Sequence, residues 1–163
     1  MVQWGKRTPE IAYLLNPSFC AAILYATLGG YQKKSGLGMD FTLTYLILPI
    51  ILYKRTRDRI DSRTNMVVWL QRNPDALIGF PERARSLVVF TNEAIEFLLH
   101  QQSISIDGRK VTIKKSISNQ KKNRFCGIDP EIADCIQKAA HLGRWFFNIR
   151  SDESIYAAWG VRP

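Results

Sequence analysis

Residues 41–53, FTLTYLILPIILY, form an apolar run without a single charge. Such a run must be buried, and what it is buried in decides the class of protein. A helix that crosses a hydrocarbon core needs about 20 residues. This run is shorter, and Pro49 interrupts it by removing a backbone donor. The cations that follow, Lys54, Arg55, Arg57 and Arg59, suit a membrane-surface anchor as one reading. The expected reading is a buried core helix, capped by Asp40, that ends in a strongly basic, solvated loop or helix turn at residues 54–63. No membrane partner is expected.

A buried helix of this kind requires a domain around it. With 163 residues, 46% of them hydrophobic, the chain suits one compact domain. A chain of this length buries roughly 70% of its unfolded surface, enough for a core without disulfides or metal. The three cysteines, Cys20, Cys126 and Cys135, form no CxxC pair, and His100 and His141 are the only histidines. That set lacks the paired spacings of a structural zinc site, so no metal and no cofactor are expected, and the cysteines read as small apolar packing. The odd cysteine count, with no signal-peptide start, points to a reducing cytoplasm.

Helix starts are written at Thr8-Pro9-Glu10, Asn16-Pro17-Ser18 and Asp129-Pro130-Glu131, where a side chain caps free N–H groups and proline fits the first turn. Gly29-Gly30 is expected to weaken or end the second of these helices, and Gly36-Leu37-Gly38 is a loop. A short amphipathic helix should run from about Thr64 to Asn73-Pro74-Asp75, with Met66, Val67, Trp69 and Leu70 on its apolar face. Pro81-Glu82 opens another helix, and Thr91 reads as the cap of the next. Residues 104–107 and 110–116 then alternate like strands about an Asp107-Gly108 turn. The last helices are expected from Asp129 into Trp145 and from Asp152 to near Gly160.

Two helices followed by a hairpin is the order of a winged helix-turn-helix. The expected fold is mainly α with a small β-hairpin: a winged helix-turn-helix-like core at 64–117, with N-terminal (1–63) and C-terminal (128–163) helical extensions in a single domain. Residues 116–127 are the only interruption long enough for a mobile loop.

The net charge is +9, unevenly placed. Residues 103–127 hold Arg109, Lys110, Lys114, Lys115, Lys121, Lys122 and Arg124 against Asp107 alone. Such a patch attracts phosphate backbones in a salt-dependent way, and these seven are the candidate nucleic-acid contacts. The helix before the hairpin carries Glu93 and Glu96 and no Lys or Arg, so readout of guanine edges by that helix is not expected. Of the adjacent Trp145, Phe146 and Phe147, all three cannot face one narrow helical stripe, so at least one is expected to anchor a protein interface.

No GxSxG, HExxH or GxxxxGK[ST] pattern is present. Asp58 and Asp61 stand among arginines, but beside a proline-broken helix rather than on strands, and a nuclease centre is not expected there. No catalytic residue is assigned.

The segments PEIAYLLNPSFC (9–20), GYQ (30–32), LTYLILPIILYKRTRD (43–58), FPERARSLVVFTNEAIEFLL (80–99) and SISIDGRKVTIKK (103–115) resemble the middle components of bacterial three-component ABC systems. The resemblance implies a non-catalytic adaptor that works beside a coiled-coil ABC ATPase and a further component in conflict or antiviral defence. It carries no catalytic residue over. The alternative is a free winged-helix DNA-binding regulator, which would normally read bases through a basic helix.

Overall fold

The computed structural model describes residues 15–114, 129–149 and 151–162. In chain order these form α1 (Pro17–Ser35), β1 (Met39–Asp40), a 3₁₀ turn (Phe41–Leu43), α2 (Thr44–Ile51), α3 (Lys54–Arg57) and α4 (Met66–Arg72). A second 3₁₀ turn (Pro74–Leu77), α5 (Phe80–Ser86), α6 (Val88–His100), β2 (Ile104–Asp107), β3 (Lys110–Ile113), α7 (Pro130–Phe147) and α8 (Asp152–Ala158) follow. The result is mainly helical with a three-stranded antiparallel sheet of order β1-β3-β2.

Side-chain caps account for several of the helix starts, Asp40 capping the 3₁₀ turn that leads into α2. Asn16 Oδ1 accepts from Ser18 N at 2.9 Å, Asp40 Oδ1 from Thr42 N at 3.1 Å, and Asp129 Oδ1 from Glu131 N at 2.8 Å. Each satisfies a first-turn donor that has no intrahelical partner. α1 ends where Gly36 takes φ +69°, a left-handed cap that donates its N–H to Gln32 O. The helix passes through Gly29-Gly30 instead of ending there. The reason is tertiary: a Cβ on Gly30 would lie 2.0 Å from the Ala140 carbonyl oxygen of α7, and one on Gly143 would lie 2.0 Å from that of Thr27 in α1. The two glycines let the α1 and α7 backbones touch.

α2 is the buried apolar helix, with Leu46, Ile47, Leu48, Ile50 and Ile51 at most 1% exposed. Pro49 lies inside it and does not end it: it cannot donate to the Tyr45 carbonyl, yet the helix runs on to Ile51. No helix among the described residues is long and apolar enough to cross a membrane. In α4, Met66, Trp69 and Leu70 are buried, whereas Val67 is exposed.

α5 and α6 are separated by one residue, Leu87, and Thr91 is not a cap. It lies within α6, buried, and its hydroxyl donates to Leu87 O, four residues back, at 3.0 Å. In the hairpin, Asp107 pairs with Lys110, so Gly108 and Arg109 are the turn's central residues and Gly108 supplies the positive φ. Strand β1, absent from the expected hairpin, pairs with β3 through Met39–Val111 and Asp40–Lys110.

Three tryptophans close the core. Trp69 Nε1 donates to Arg59 O at 2.6 Å, Trp145 Nε1 to Thr64 O at 2.7 Å, and Trp159 Nε1 to Met66 Sδ at 3.3 Å. Each indole thereby keeps a partner for its N–H while burying its rings, and the 59–64 loop is tied to the helices.

Candidate interaction surfaces

The hairpin presents the basic residues expected of it, but not as free charges. Arg109 Nε lies 3.2 Å from Asp40 Oδ2 and its Nη2 4.0 Å from Asp152 Oδ2, while Lys110 Nζ lies 3.9 Å from Asp40. Burial pushes the Asp40 carboxyl up. Bonds from the Thr42 hydroxyl and N–H, a hydrogen bond with Asp152 and the Arg109 charge outweigh it and hold the pKa below the ordinary value. Asp152 is raised, by burial first and then by the Asp40 charge. Two carboxylates thus face two of the seven candidate cations, which lowers the potential they offer a phosphate. Lys114 is exposed and makes no ion pair among the described residues. Lys115, Lys121, Lys122 and Arg124 lie outside the described residues.

α6 carries Glu93 and Glu96 and no Lys or Arg. Exposed apolar side chains are spread around the rest of its surface: Val88, Val89, Phe97 and Leu99 are 37–48% exposed, with Leu99 and Phe97 on opposite sides of the helix. A groove of about 670 Å³ runs between the C-terminal end of this helix and β2, lined by Leu99, Gln102, Ile104, Ser105, Ile106 and Lys114.

The aromatic triplet is divided by its helix. Trp145 and Phe146 are each 1% exposed and belong to the core, so neither is open to a partner. Phe147 is 39% exposed and meets Tyr31 edge to face, with ring centroids 5.9 Å apart. Of the three, it is the one a second protein can reach.

The basic run at 54–63 opens with the helical turn α3 and is mostly exposed, as expected, but one of its arginines belongs to the core. Arg57 is 3% exposed: Nε donates to Asp134 Oδ2 at 2.9 Å, Nη2 to Glu131 Oε1 at 2.6 Å and Nη1 to Ile51 O at 3.1 Å. Burial opposes its charge, but the bonds to these carboxylates win and raise its pKa. Arg59 makes a two-bond fork to Asp75, with Nη1–Oδ1 and Nη2–Oδ2 both 2.9 Å. These cations join segments, and sequence reading missed them because the carboxylates for Arg57 lie over seventy positions away.

Chemistry-bearing side chains are likewise engaged by local partners or burial. Asp58 pairs with Lys54 at 2.7 Å, and Asp61 Oδ1 accepts from Arg63 N at 3.0 Å. Among the described residues no group of three or more His, Cys, Asp or Glu side chains could hold a metal ion. Burial first, then the Glu93 charge, pushes the Cys20 thiol up to about 12, and burial takes Cys135 to about 11. Both are protonated at neutral pH and poor nucleophiles. Cys126 lies outside the described residues.

His141 is 8% exposed and borders a polar cavity of about 280 Å³ with Asp58, Asp61, Lys138 and Arg144. Arg144 Nη2 donates to His141 Nδ1 at 3.0 Å. Since a guanidinium only donates, Nδ1 is the acceptor and the imidazole proton sits on Nε2. Burial, then the charges of Arg144 and Lys138, push the His141 pKa below its ordinary 6.5, against a smaller pull from Asp61.

The described surface thus offers a basic hairpin, a groove with apolar walls between α6 and β2, and the exposed rings of Phe97 and Phe147. No curated protein and no solved structure matches the chain. The model of ABC-three component (ABC-3C) system Middle Component 3 matches residues 4–163, and the chain belongs to that family.

Proposed function

We propose that this middle component is a non-catalytic, cytoplasmic adaptor subunit of a bacterial defence complex. It links a coiled-coil ABC ATPase to a further component, and the chain acts as one compact domain. Membership of a middle-component family over residues 4–163 carries the reading. The groove between α6 and β2, walled by exposed Leu99 and Ile106, supports it, because contiguous apolar surface marks protein contacts. The order α5, α6, β2, β3, with β1 completing the sheet, supports a winged-helix-like module turned toward proteins more than toward bases. DNA, where it is touched, meets Lys114 and the cations after it through phosphates.

The test is an affinity purification of the tagged full-length protein from cells holding the system, with and without nuclease. Retention of a coiled-coil ABC ATPase after nuclease supports the adaptor. Recovery of nucleic acid alone, or of a homodimer alone, makes a free winged-helix regulator the better account.

For the DNA contact, exchanging Lys114, Lys115, Lys121 and Lys122 for glutamate is expected to weaken retention of the assembly on DNA. The slope of log affinity against log salt should also become shallower, by about 0.9 for each phosphate that is no longer neutralised. An unchanged salt series would remove DNA from the proposal and leave the adaptor standing.

A further inference from the structure

The sheet ends in an unpaired edge. In the order β1-β3-β2, one side of β2 faces β3, and no strand among the described residues faces the other. Asp107 and Lys110 flank a two-residue turn, so they form a hydrogen-bonded pair, and Lys114 N donating to Ser103 O at 2.9 Å has the same phase. Antiparallel ladders alternate. The N–H and C=O groups of Ile104 and Ile106 therefore point away from β3. On the opposite side of the sheet, the outward N–H of Ile113 is taken by Gln32 Oε1 at 2.9 Å. No described residue does the same for Ile104 or Ile106.

The groove beside α6 opens along this edge. Ile104, 3% exposed, is its floor, and Leu99 and Ile106, each 39% exposed, are its apolar walls. Lys114 stands at the rim without a carboxylate among the described residues. We propose that the β2 edge takes an extended segment of another component of the ABC-3C assembly as a fourth strand. Apolar side chains at alternate positions settle against Leu99 and Ile106, and an acidic side chain reaches Lys114.

The main-chain pattern selects the occupant's conformation, since only an extended backbone meets outward N–H and C=O groups at strand spacing. Charge selects its sign. Two copies of a chain with net charge +9 repel each other, whereas an acidic segment is drawn to Lys114. This inference rests on the adaptor reading and adds to it the site and the chemistry of the partner segment.

The experiment is amide hydrogen exchange on the full-length protein, alone and in the complex co-expressed with the other components of its system. It is paired with two variants, Ile106→Pro and Leu99→Lys. Ile106→Pro removes an outward donor that the hairpin does not use, a position where edge strands tolerate proline; Leu99→Lys places a charge in the groove and covers the case in which the proline variant unfolds. The expected result is slower exchange at Ile106 on assembly and, for each folded variant, association weakened about tenfold or more. A complex that forms with Ile106 exchange unchanged, or with both variants binding as the parent does, overturns the edge site and leaves the adaptor reading intact. No complex at all overturns both. Protection that appears in the isolated chain with rising concentration and a dimer mass assigns the edge to a second copy and overturns the proposed partner.

Discussion

Arg57 shows how a charged side chain can be core. Its guanidinium is held by Glu131, Asp134 and the Ile51 carbonyl while the side chain is 3% exposed. Arg57→Met keeps most of the stem's packing and removes all three bonds. It is expected to cost about 2 kcal/mol, because hydrogen bonds to charged groups are worth more than neutral ones and the Ile51 carbonyl loses its partner. Arg57→Lys should recover less than half, since the three donors of an ammonium share one nitrogen and do not span acceptors that Arg57 meets from Nε, Nη1 and Nη2. Urea denaturation of the two variants measures this, and an unchanged midpoint for Arg57→Met would show that the ion pairs add nothing net.

His141 makes stability depend on pH in a direction that follows from its neighbours. Its folded pKa is depressed below 6.5 by burial and by Arg144 and Lys138, so below 6.5 the unfolded chain binds the proton more readily than the folded one. Stability from this group is therefore intact above 6.5 and is lost as acid titrates the unfolded imidazole. The thermal midpoint is expected to fall between about pH 7.5 and 5.5, and His141→Gln should flatten that part of the profile. An equal slope in the variant would assign the acid sensitivity to other groups.

Between elements, glycine placement decides how closely helices approach. Gly143→Ala puts a methyl 2.0 Å from the Thr27 carbonyl oxygen, a backbone atom that cannot swing aside. The α1–α7 contact must open, at an expected cost of about 2 kcal/mol or more. Gly29→Ala is the opposite case. Its nearest neighbour would be Ile113 Cδ1 at 3.6 Å, an ordinary contact, so improved helix propensity should stabilise by about 0.5–1 kcal/mol. Paired thermal melts test the contrast, and two variants of equal stability would mean the helices are free to shift apart. Helix starts at Asn16, Asp40 and Asp129 were legible because cap and donor lie two residues apart. The break between α5 and α6 was legible too, but it falls at Leu87, four residues before the expected cap. Thr91 has the residue type of a cap, but here its hydroxyl bonds within a helix that had already begun at Val88.

Across the whole molecule, the chain's end is structural. Trp159, 0% exposed, stacks 4.6 Å from the Phe80 ring and 6.2 Å from Trp69, so α8 closes the core over α4 and α5. Trp159→Ala is expected to cost about 3–5 kcal/mol. That is a large part of the roughly 5–15 kcal/mol available to a domain. Calorimetry of the parent chain should show one transition, and of the variant a strongly lowered one; a separate early transition would mean α8 melts independently.

The sequence by itself determined what depends on near neighbours: the caps at Asn16, Asp40 and Asp129, the loop that starts at Gly36, the turn at Gly108 and the burial of an uncharged apolar run too short to span a membrane. A family resemblance carried by residues 9–115 was legible there too. Tertiary structure alone decided that Arg57 is core, that Gly30 and Gly143 are points of close approach rather than helix breakers, and that the two residues of β1 join β3. It also decided that two of the hairpin's cations face Asp40 and Asp152, and that only Phe147 of its triplet meets solvent. Caps and turns act over a few residues of backbone. Burial and ion pairing depend on which distant groups share the same low-dielectric space, a quantity that exists only once the chain has folded.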